Sequence, residues 1–194
     1  MLIVVACQRS GTMSMASMLG INHEIHFIHT WNGESLPQGG ESEVSWLAMP
    51  HTRLFNRYPD IKIIHLVRHP YNVIASIEGQ NFWEQSSGYL SYVLKYLPGL
   101  ENIKGRFQKS LYYWLHWNQL LLKEYPRIAI ESITTAIVLN RSSGKSLYNL
   151  DWKTIENNQL KRDVESLAES YGYGFNKNEK TRGFEDSPSN TGKN

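Results

Sequence analysis

The chain has 194 residues, of which 41% are hydrophobic and 20% are charged, and its formal net charge at pH 7 is +2. This length and composition fit one globular domain with a sizeable core, and they exclude a fibrous or largely disordered chain. Such a small net charge gives no bulk attraction to nucleic acid, so any site for an anion has to be local.

The cysteine content and the opening residues bear on the compartment. Cys7 is the single cysteine, which excludes an internal disulfide framework and favours a reducing environment. The apolar run at residues 2–7 is too short for a membrane span, and no basic segment of a signal peptide precedes it. We therefore expect a cytoplasmic protein with no membrane span and no nucleic-acid partner, while its oligomeric state stays open.

The first predicted element is a buried strand, Leu2–Ala6, which a polar turn connects to a helix over Thr12–Leu19 that ends at Gly20. The first backbone N–H groups of a helix have no partner inside it, and the helix dipole adds positive charge there. The turn therefore predicts a phosphate or sulfate site, with Arg9 as its cation and Gly11 allowing close approach. An ordinary polar loop without a ligand is the alternative.

The rest of the chain alternates short apolar runs with segments of helical periodicity. In chain order these predict a strand over 24–29, a loop over 30–40, a helical stretch from Ser42 divided at Pro50, a strand over 61–67, a helix over 71–78 begun by Pro70, a short helix over 89–96, a helical apolar face between 111 and 125, a strand over 127–130, and a final helix between 160 and 171.

This alternation predicts an α/β domain, specifically a three-layer α/β/α arrangement around a central parallel sheet. Residues 1–175 form that single domain, and the polar residues 176–194 form a C-terminal tail. Ligands of such folds bind beyond the carboxyl ends of the strands. The polar residues after Ala6 and after Val67 both lie at such ends, and they face one cleft if the two strands are neighbours.

Two stretches together resemble the nucleotide-binding elements of the sulfotransferase superfamily, which uses 3′-phosphoadenosine 5′-phosphosulfate (PAPS). They are CQRSGTMSMASML, similar to the family's 5′-phosphosulfate loop, and IKIIHLVRHPYNVIAS, similar to its 3′-phosphate element, in which a serine follows the strand-end arginine by eight residues. The stretches SEVSWLAMPH and YYWLHWNQLL also resemble small members of the family. The likeness covers roughly residues 2–122, and it implies a P-loop NTPase-like sulfotransferase fold.

The resemblance also implies an activity, namely transfer of a sulfuryl group from PAPS to a hydroxyl of an acceptor such as a glycan. The family requires no metal, and the histidines and the cysteine show no zinc-ligand spacing. The implied nucleotide contacts divide between the two motifs. They are Arg9, Ser10, Gly11, Thr12 and Met13 for the 5′-phosphosulfate, and Arg68 and Ser76 for the 3′-phosphate.

Two of the implied roles are catalytic. Arg9 stands where many relatives have lysine, and because arginine keeps its proton its role is purely electrostatic. A general base has to accept the proton of the acceptor hydroxyl, and His29 at the end of the predicted second strand fits best. Glu34, Glu43 and His51 are the substitutes. The tail segment 180–183 is a candidate flap over the 3′-phosphate.

Two other functions stay open. The first is a P-loop small-molecule kinase, although the G-x-x-x-x-G-K-[ST] signature is missing because no lysine follows Gly11. The second is a catalytically degenerate member of the same fold that binds nucleotide or glycan without turnover. The change from lysine to Arg9 and the unsettled base favour this second alternative.

Overall fold

A computed structural model of the chain describes residues 1–28, 36, 41–80, 82–84, 88–121, 125–130, 155 and 157–175. Within these ranges the chain forms an α/β fold around a five-stranded, entirely parallel sheet with strand order β2-β3-β1-β4-β5. The strands are β1 (Leu2–Ala6), β2 (Asn22–His23), β3 (Glu43–Ser45), β4 (Lys62–Val67) and β5 (Arg127–Ala129). The predicted α/β class with a central parallel sheet is confirmed.

Helices connect the strands. The described α-helices are α1 (Thr12–Leu19), α2 (Thr52–Phe55), α3 (Pro70–Glu78), α4 (Gly88–Tyr96), α5 (Arg106–Asn118) and α6 (Asn158–Ser170). Short 3₁₀ turns lie at Met49–His51, Phe82–Glu84 and Pro98–Asn102. None of the helices in the described ranges is long and apolar enough to cross a membrane.

The side chains of β1 alternate between two cores because successive residues of a strand point to opposite faces. The larger core lies between the sheet and the helices α3, α5 and α6, and its buried members include Val5, Val73, Trp114 and Val164. The smaller core lies beneath α1 on the other face, and its members include Val4, Ala6, Met15 and Ile130. Helices therefore cover both faces of the sheet, which is consistent with the predicted three layers.

The strands β1 and β4, which carry the two sequence motifs, are neighbours in the sheet. Ala6 lies opposite Leu66 in the parallel register, so both strands end at the same edge. Local sequence signals delimit the two helices that follow these strands. Gly20 ends α1 with a left-handed φ of 63°, and Pro70 occupies the first turn of α3. The condition for one shared cleft, that the two polar junctions follow neighbouring strands, is therefore met.

Two predicted elements are wrong. The sequence predicts a strand over 24–29, but residues 24–28 are not strand, and β2 instead ends before them as Asn22–His23. Glu24 takes a left-handed φ of 51°, so the backbone leaves the extended conformation there. The helical stretch predicted from Ser42 begins instead as strand β3, since this segment pairs with β1 and β2. The predicted loop over 30–40, apart from residue 36, and the tail over 176–194 lie outside the described residues.

Candidate active site

The loop between β1 and α1 lies at the carboxyl edge of the sheet, where the Ser10 N–H donates to the Cys7 carbonyl at 3.2 Å. Arg9 and Gly11 have left-handed φ values of 69° and 91°, on either side of Ser10. No side chain caps α1, and its first bond back to the loop runs from the Met15 N–H to the Gly11 carbonyl at 3.0 Å. Such alternating backbone conformations, ending at an uncapped helix start, form a concave anion site.

Gly11 is required by space as well as by conformation. A Cβ atom built on Gly11 would lie 2.8 Å from Cγ1 of Ile130, the buried residue that directly follows β5. The loop therefore packs directly onto the sheet edge. Any side chain here would push the backbone away from the position that aims its N–H groups.

We expect Gly11→Ala to lower the free energy of unfolding by about 3 kcal/mol, from backbone strain and the contact with Ile130 together. Gly20→Ala is the matched control. Its φ of 63° is also left-handed, but nothing lies within 4 Å of the added Cβ, so it should cost only about 1 kcal/mol. Urea denaturation of both variants measures the difference. Equal losses of unfolding free energy in the two variants would show that the clash between the added Cβ at position 11 and Ile130 contributes nothing.

Three of the residues assigned by resemblance meet at this edge. Nε of Arg9 donates to Oγ of Ser76 at 2.8 Å, and Nη1 of Arg68 donates to the Arg9 carbonyl at 2.8 Å. Gln80, one turn beyond Ser76, turns its amide oxygen to the Arg9 guanidinium at 3.1 and 3.2 Å in the orientation that satisfies both groups. The cluster joins the β1–α1 loop to the end of β4 and to α3, with the Arg68 guanidinium on the Arg9 backbone and the Arg9 guanidinium on Ser76.

The remaining residues of the first motif divide between buried and exposed positions. Ser10 and Thr12 are buried, whereas 62% of Met13 is exposed. Oγ1 of Thr12 lies 3.0 Å from Nε2 of His23, so the loop also contacts the end of β2. Cys7 is buried beneath the loop, where burial raises the pKa of its thiol.

Glu24 is the residue at this edge that the sequence analysis missed. Its Oε1 lies 3.3 Å from Nε2 of His23, the same nitrogen that contacts Thr12. Burial, and next the charge of Glu43, raise the pKa of Glu24 to about 7, although a hydrogen bond with Trp46 works against the shift. Burial also lowers the pKa of His23, so that histidine is neutral at pH 7. A carboxyl with such a pKa exchanges protons near neutral pH, as a general base must.

The signal for Glu24 was present but weak. In the sequence Glu24 stands next to His23 and close to His26, which are residue types found in metal sites. Among the described residues, no group of three His, Cys, Asp or Glu side chains is arranged to hold a metal ion. Burial and the charge of Glu43 raise the pKa of Glu24. Both depend on the position of Glu24 after a two-residue strand that pairs with the distant Glu43–Ser45 segment.

The proposed bases from the sequence have different positions. His29 and Glu34 lie outside the described residues. The carboxylate of Glu43 is fully buried and accepts the backbone N–H groups of His26 at 2.8 Å and Phe27 at 3.3 Å. His51 is buried between the hydroxyls of Tyr92 and Tyr96, and burial lowers its pKa to about 4. These contacts hold Glu43 and His51 inside the protein.

Comparison with known proteins identifies no family for this chain. No protein-family model matches the chain, and no curated protein matches it. The function therefore has to be inferred from the two motifs and from the site that their residues form.

Proposed function

We propose that this chain is a PAPS-dependent sulfotransferase with a P-loop-like sulfotransferase fold, acting on a hydroxyl of an acceptor such as a glycan. One observation carries the proposal. The two motifs lie at the carboxyl ends of neighbouring strands, and Arg9 of the first contacts both Arg68 and Ser76 of the second. A single ligand with an anionic group at each end fits this pairing better than two unrelated anions would.

The residues present suit such a ligand. The N–H groups of Gly11, Thr12 and Met13 at the start of α1 form a cradle for the 5′ anionic end, where the absence of a Cβ on Gly11 keeps the backbone close; the Ser10 N–H already donates to the Cys7 carbonyl. Arg68 and Ser76 are placed to hold the 3′-phosphate, since a guanidinium recognises phosphate through paired hydrogen bonds. When bound, PAPS supplies a sulfuryl group already activated by attachment to a phosphate.

Arg9 and Glu24 have complementary tasks in this proposal. Arg9 stabilises negative charge at the 5′ end with its guanidinium, which exchanges its contacts with Ser76 and Gln80 for the anion when the nucleotide binds. Glu24 accepts the proton of the acceptor hydroxyl, and we infer that it takes the place assigned to His29 from the sequence. Its carboxylate lies at the end of β2, linked through His23 to Thr12 of the loop.

Adenosine 3′,5′-bisphosphate tests the nucleotide site without an acceptor. At about one hundred times its Kd it should stabilise the fold by about 2.7 kcal/mol, which raises the Tm of a chain of this size by roughly 5–10 °C. Arg68→Ala should weaken binding by roughly 10- to 100-fold, because hydrogen bonds to charged groups contribute about 1.5–3 kcal/mol. Calorimetric titration and thermal unfolding measure both effects.

Ser76→Ala and Arg57→Ala complete the series. Ser76→Ala removes only a hydroxyl and should weaken binding less than Arg68→Ala. Arg57→Ala removes an exposed arginine that lies between α2 and β4, outside the site, and should bind like the parent chain. Absence of any shift with the parent would overturn the proposal. Stronger binding of ATP with magnesium would favour the kinase, and bisphosphate binding without sulfate transfer to any acceptor would favour the degenerate nucleotide-binding member.

A further inference from the structure

Glu43 is a buried acidic residue to which the proposed reaction gives no task. It is the first residue of β3, where it lies opposite Asn22 of β2 on one side and Ile3 of β1 on the other. The residue is fully buried. Removing a carboxylate from water is unfavourable unless charges or hydrogen bonds compensate the loss. A glutamate at this place in the sheet therefore needs a reason beyond strand pairing.

The turn after β2 wraps around the Glu43 carboxylate. The backbone N–H of His26 donates to Oε2 at 2.8 Å, and the backbone N–H of Phe27 donates to Oε1 at 3.3 Å. The backbone of Ile25 is a further hydrogen-bond partner. Backbone donors of this kind favour the ionised form of a carboxyl group. Glu43 thus fixes the conformation of residues 25–27 by binding three consecutive residues of the main chain.

Glu24 lies between this turn and the sheet. Its backbone N–H donates to the Val44 carbonyl at 3.3 Å, which continues the pairing of β2 with β3. Its left-handed φ of 51° is a conformation that glutamate seldom adopts, so the surroundings have to hold it. Strand pairing holds Glu24 on one side and the contacts of Glu43 hold it on the other. The direction of the Glu24 side chain therefore depends on Glu43.

Titratable groups from three elements face Glu24 in the part of the chain that the structure describes. His23 of β2 lies 3.3 Å from its carboxylate and is neutral at pH 7. Tyr113 of α5 is uncharged, because burial raises the pKa of its hydroxyl well above the usual range. Burial, and next the charge of Glu43 from β3, raise the pKa of Glu24. The charge of His26 favours the ionised form of Glu43.

We propose that Glu43 is a positioning residue for Glu24, because its buried carboxylate holds the turn that aims Glu24 and keeps a negative charge near it. The inference rests on the proposed function, in which Glu24 is the general base. It gives Glu43 a task other than that of a substitute base. A carboxylate enclosed by backbone N–H groups does not reach an acceptor hydroxyl, so it acts through its neighbour.

Glu43→Gln keeps the shape of the side chain and removes its charge. In the parent, the rate of sulfate transfer should rise about tenfold between about pH 6 and about pH 8, since the pKa of the base is about 7. In Glu43→Gln this ratio should fall towards one, because loss of the neighbouring charge lowers the pKa of Glu24. Its affinity for adenosine 3′,5′-bisphosphate should stay within about twofold of the parent. Glu101→Gln, in the exposed 3₁₀ turn Pro98–Asn102, is the matched control and should keep the tenfold ratio.

Glu43→Asp separates the aim of Glu24 from the charge near it. Aspartate keeps the carboxylate but withdraws it by one methylene from the backbone N–H groups. The transfer rate should therefore fall by at least about tenfold, while the ratio of the rates at the two pH values stays that of the parent. If Glu43→Gln does not fold, this variant decides the question. A Glu43→Asp variant as active as the parent would overturn the inference.

Unfolding free energies give a readout that needs no sulfate transfer. Relative to the parent, Glu24→Gln should become more stable between about pH 4.5 and about pH 8, and this gain should be smaller when Glu43→Gln is also present. An equal gain in both backgrounds, or an unchanged pH ratio in Glu43→Gln, would overturn the inference. A parent chain that shows the smaller gain but binds no bisphosphate and transfers no sulfate would overturn the proposed activity, and would still support the positioning of Glu24 by Glu43.

Discussion

We expect Glu24→Gln to slow sulfate transfer by about 10²–10⁴-fold, the usual contribution of a general base, while the affinity for adenosine 3′,5′-bisphosphate stays unchanged. Glutamine keeps the shape and the hydrogen bonding of the side chain but cannot accept a proton. A mass-spectrometric transfer assay over a panel of hydroxyl acceptors provides the rate. Glu101→Gln removes an exposed carboxylate of the 3₁₀ turn after α4 and is the matched control.

The pH profile of sulfate transfer by the parent chain should follow Glu24. Because the base must be deprotonated, the transfer rate should rise with pH through the pKa of about 7. The Glu24→Gln variant should lose that rise. A variant that transfers sulfate within about threefold of the parent rate, with the same pH profile, would remove Glu24 from the mechanism and return the role to His29 or Glu34.

Stability gives a second readout for Glu24 that needs no acceptor. Its folded-state pKa of about 7 lies above the ordinary value of 4.5, so folding favours the protonated form. The resulting stability is present below the ordinary value and is lost as pH rises through about 7. Relative to the parent, Glu24→Gln should therefore gain up to about 3 kcal/mol between about pH 4.5 and about pH 8. If the variant and the parent differed in unfolding free energy by the same amount at both pH values, the pKa of the Glu24 carboxyl would not be shifted by folding.

Arg9→Ala should lower the transfer rate by about 10²–10³-fold, the effect of removing one group that stabilises developing charge. Arg9→Lys keeps the cation but cannot contact Ser76 and Gln80 at the same time, so we expect a loss of roughly tenfold. The transfer assay measures both variants, with Arg57→Ala as the control. If Arg9→Ala were as active as the parent, the electrostatic role of the first motif would be wrong.

Local signals predicted the centre of the fold well. The continuous apolar run of β1, the glycine after α1 and the proline at the start of α3 each act through a few neighbouring residues, and the structure confirms the three elements. His65 of the apolar strand β4 is buried, and its Nε2 lies 3.0 Å from Oδ1 of Asn118. Arg9, Arg68 and Ser76 were chosen from their motifs, and they lie together because β1 and β4 are neighbours.

The failures come from contacts between distant segments. β3 could not be recognised because Glu43 looks like a surface residue, yet it is fully buried and satisfied by N–H groups from residues 26 and 27. The end of β2 depends on its pairing with β3. The turn that buries Glu24 follows β2 directly, so it depends on the same pairing. The hydrophobic periodicity of the segments around residues 22–27 and 43–45 does not predict that the Glu43 carboxylate is buried, because its hydrogen-bond partners lie in a different segment of the chain.

The hydrogen bond between the Arg68 guanidinium and the Arg9 carbonyl has a consequence for ligand recognition. It links the two motifs directly, so in the proposed nucleotide site an anion that positions one motif also positions the other. Occupation of both ends should therefore be cooperative. A mononucleotide with one phosphate should bind with less than half of the binding free energy of the nucleotide that carries an anionic group at each end. The effects of substitutions at Arg9 and Arg68 on that free energy should not be additive.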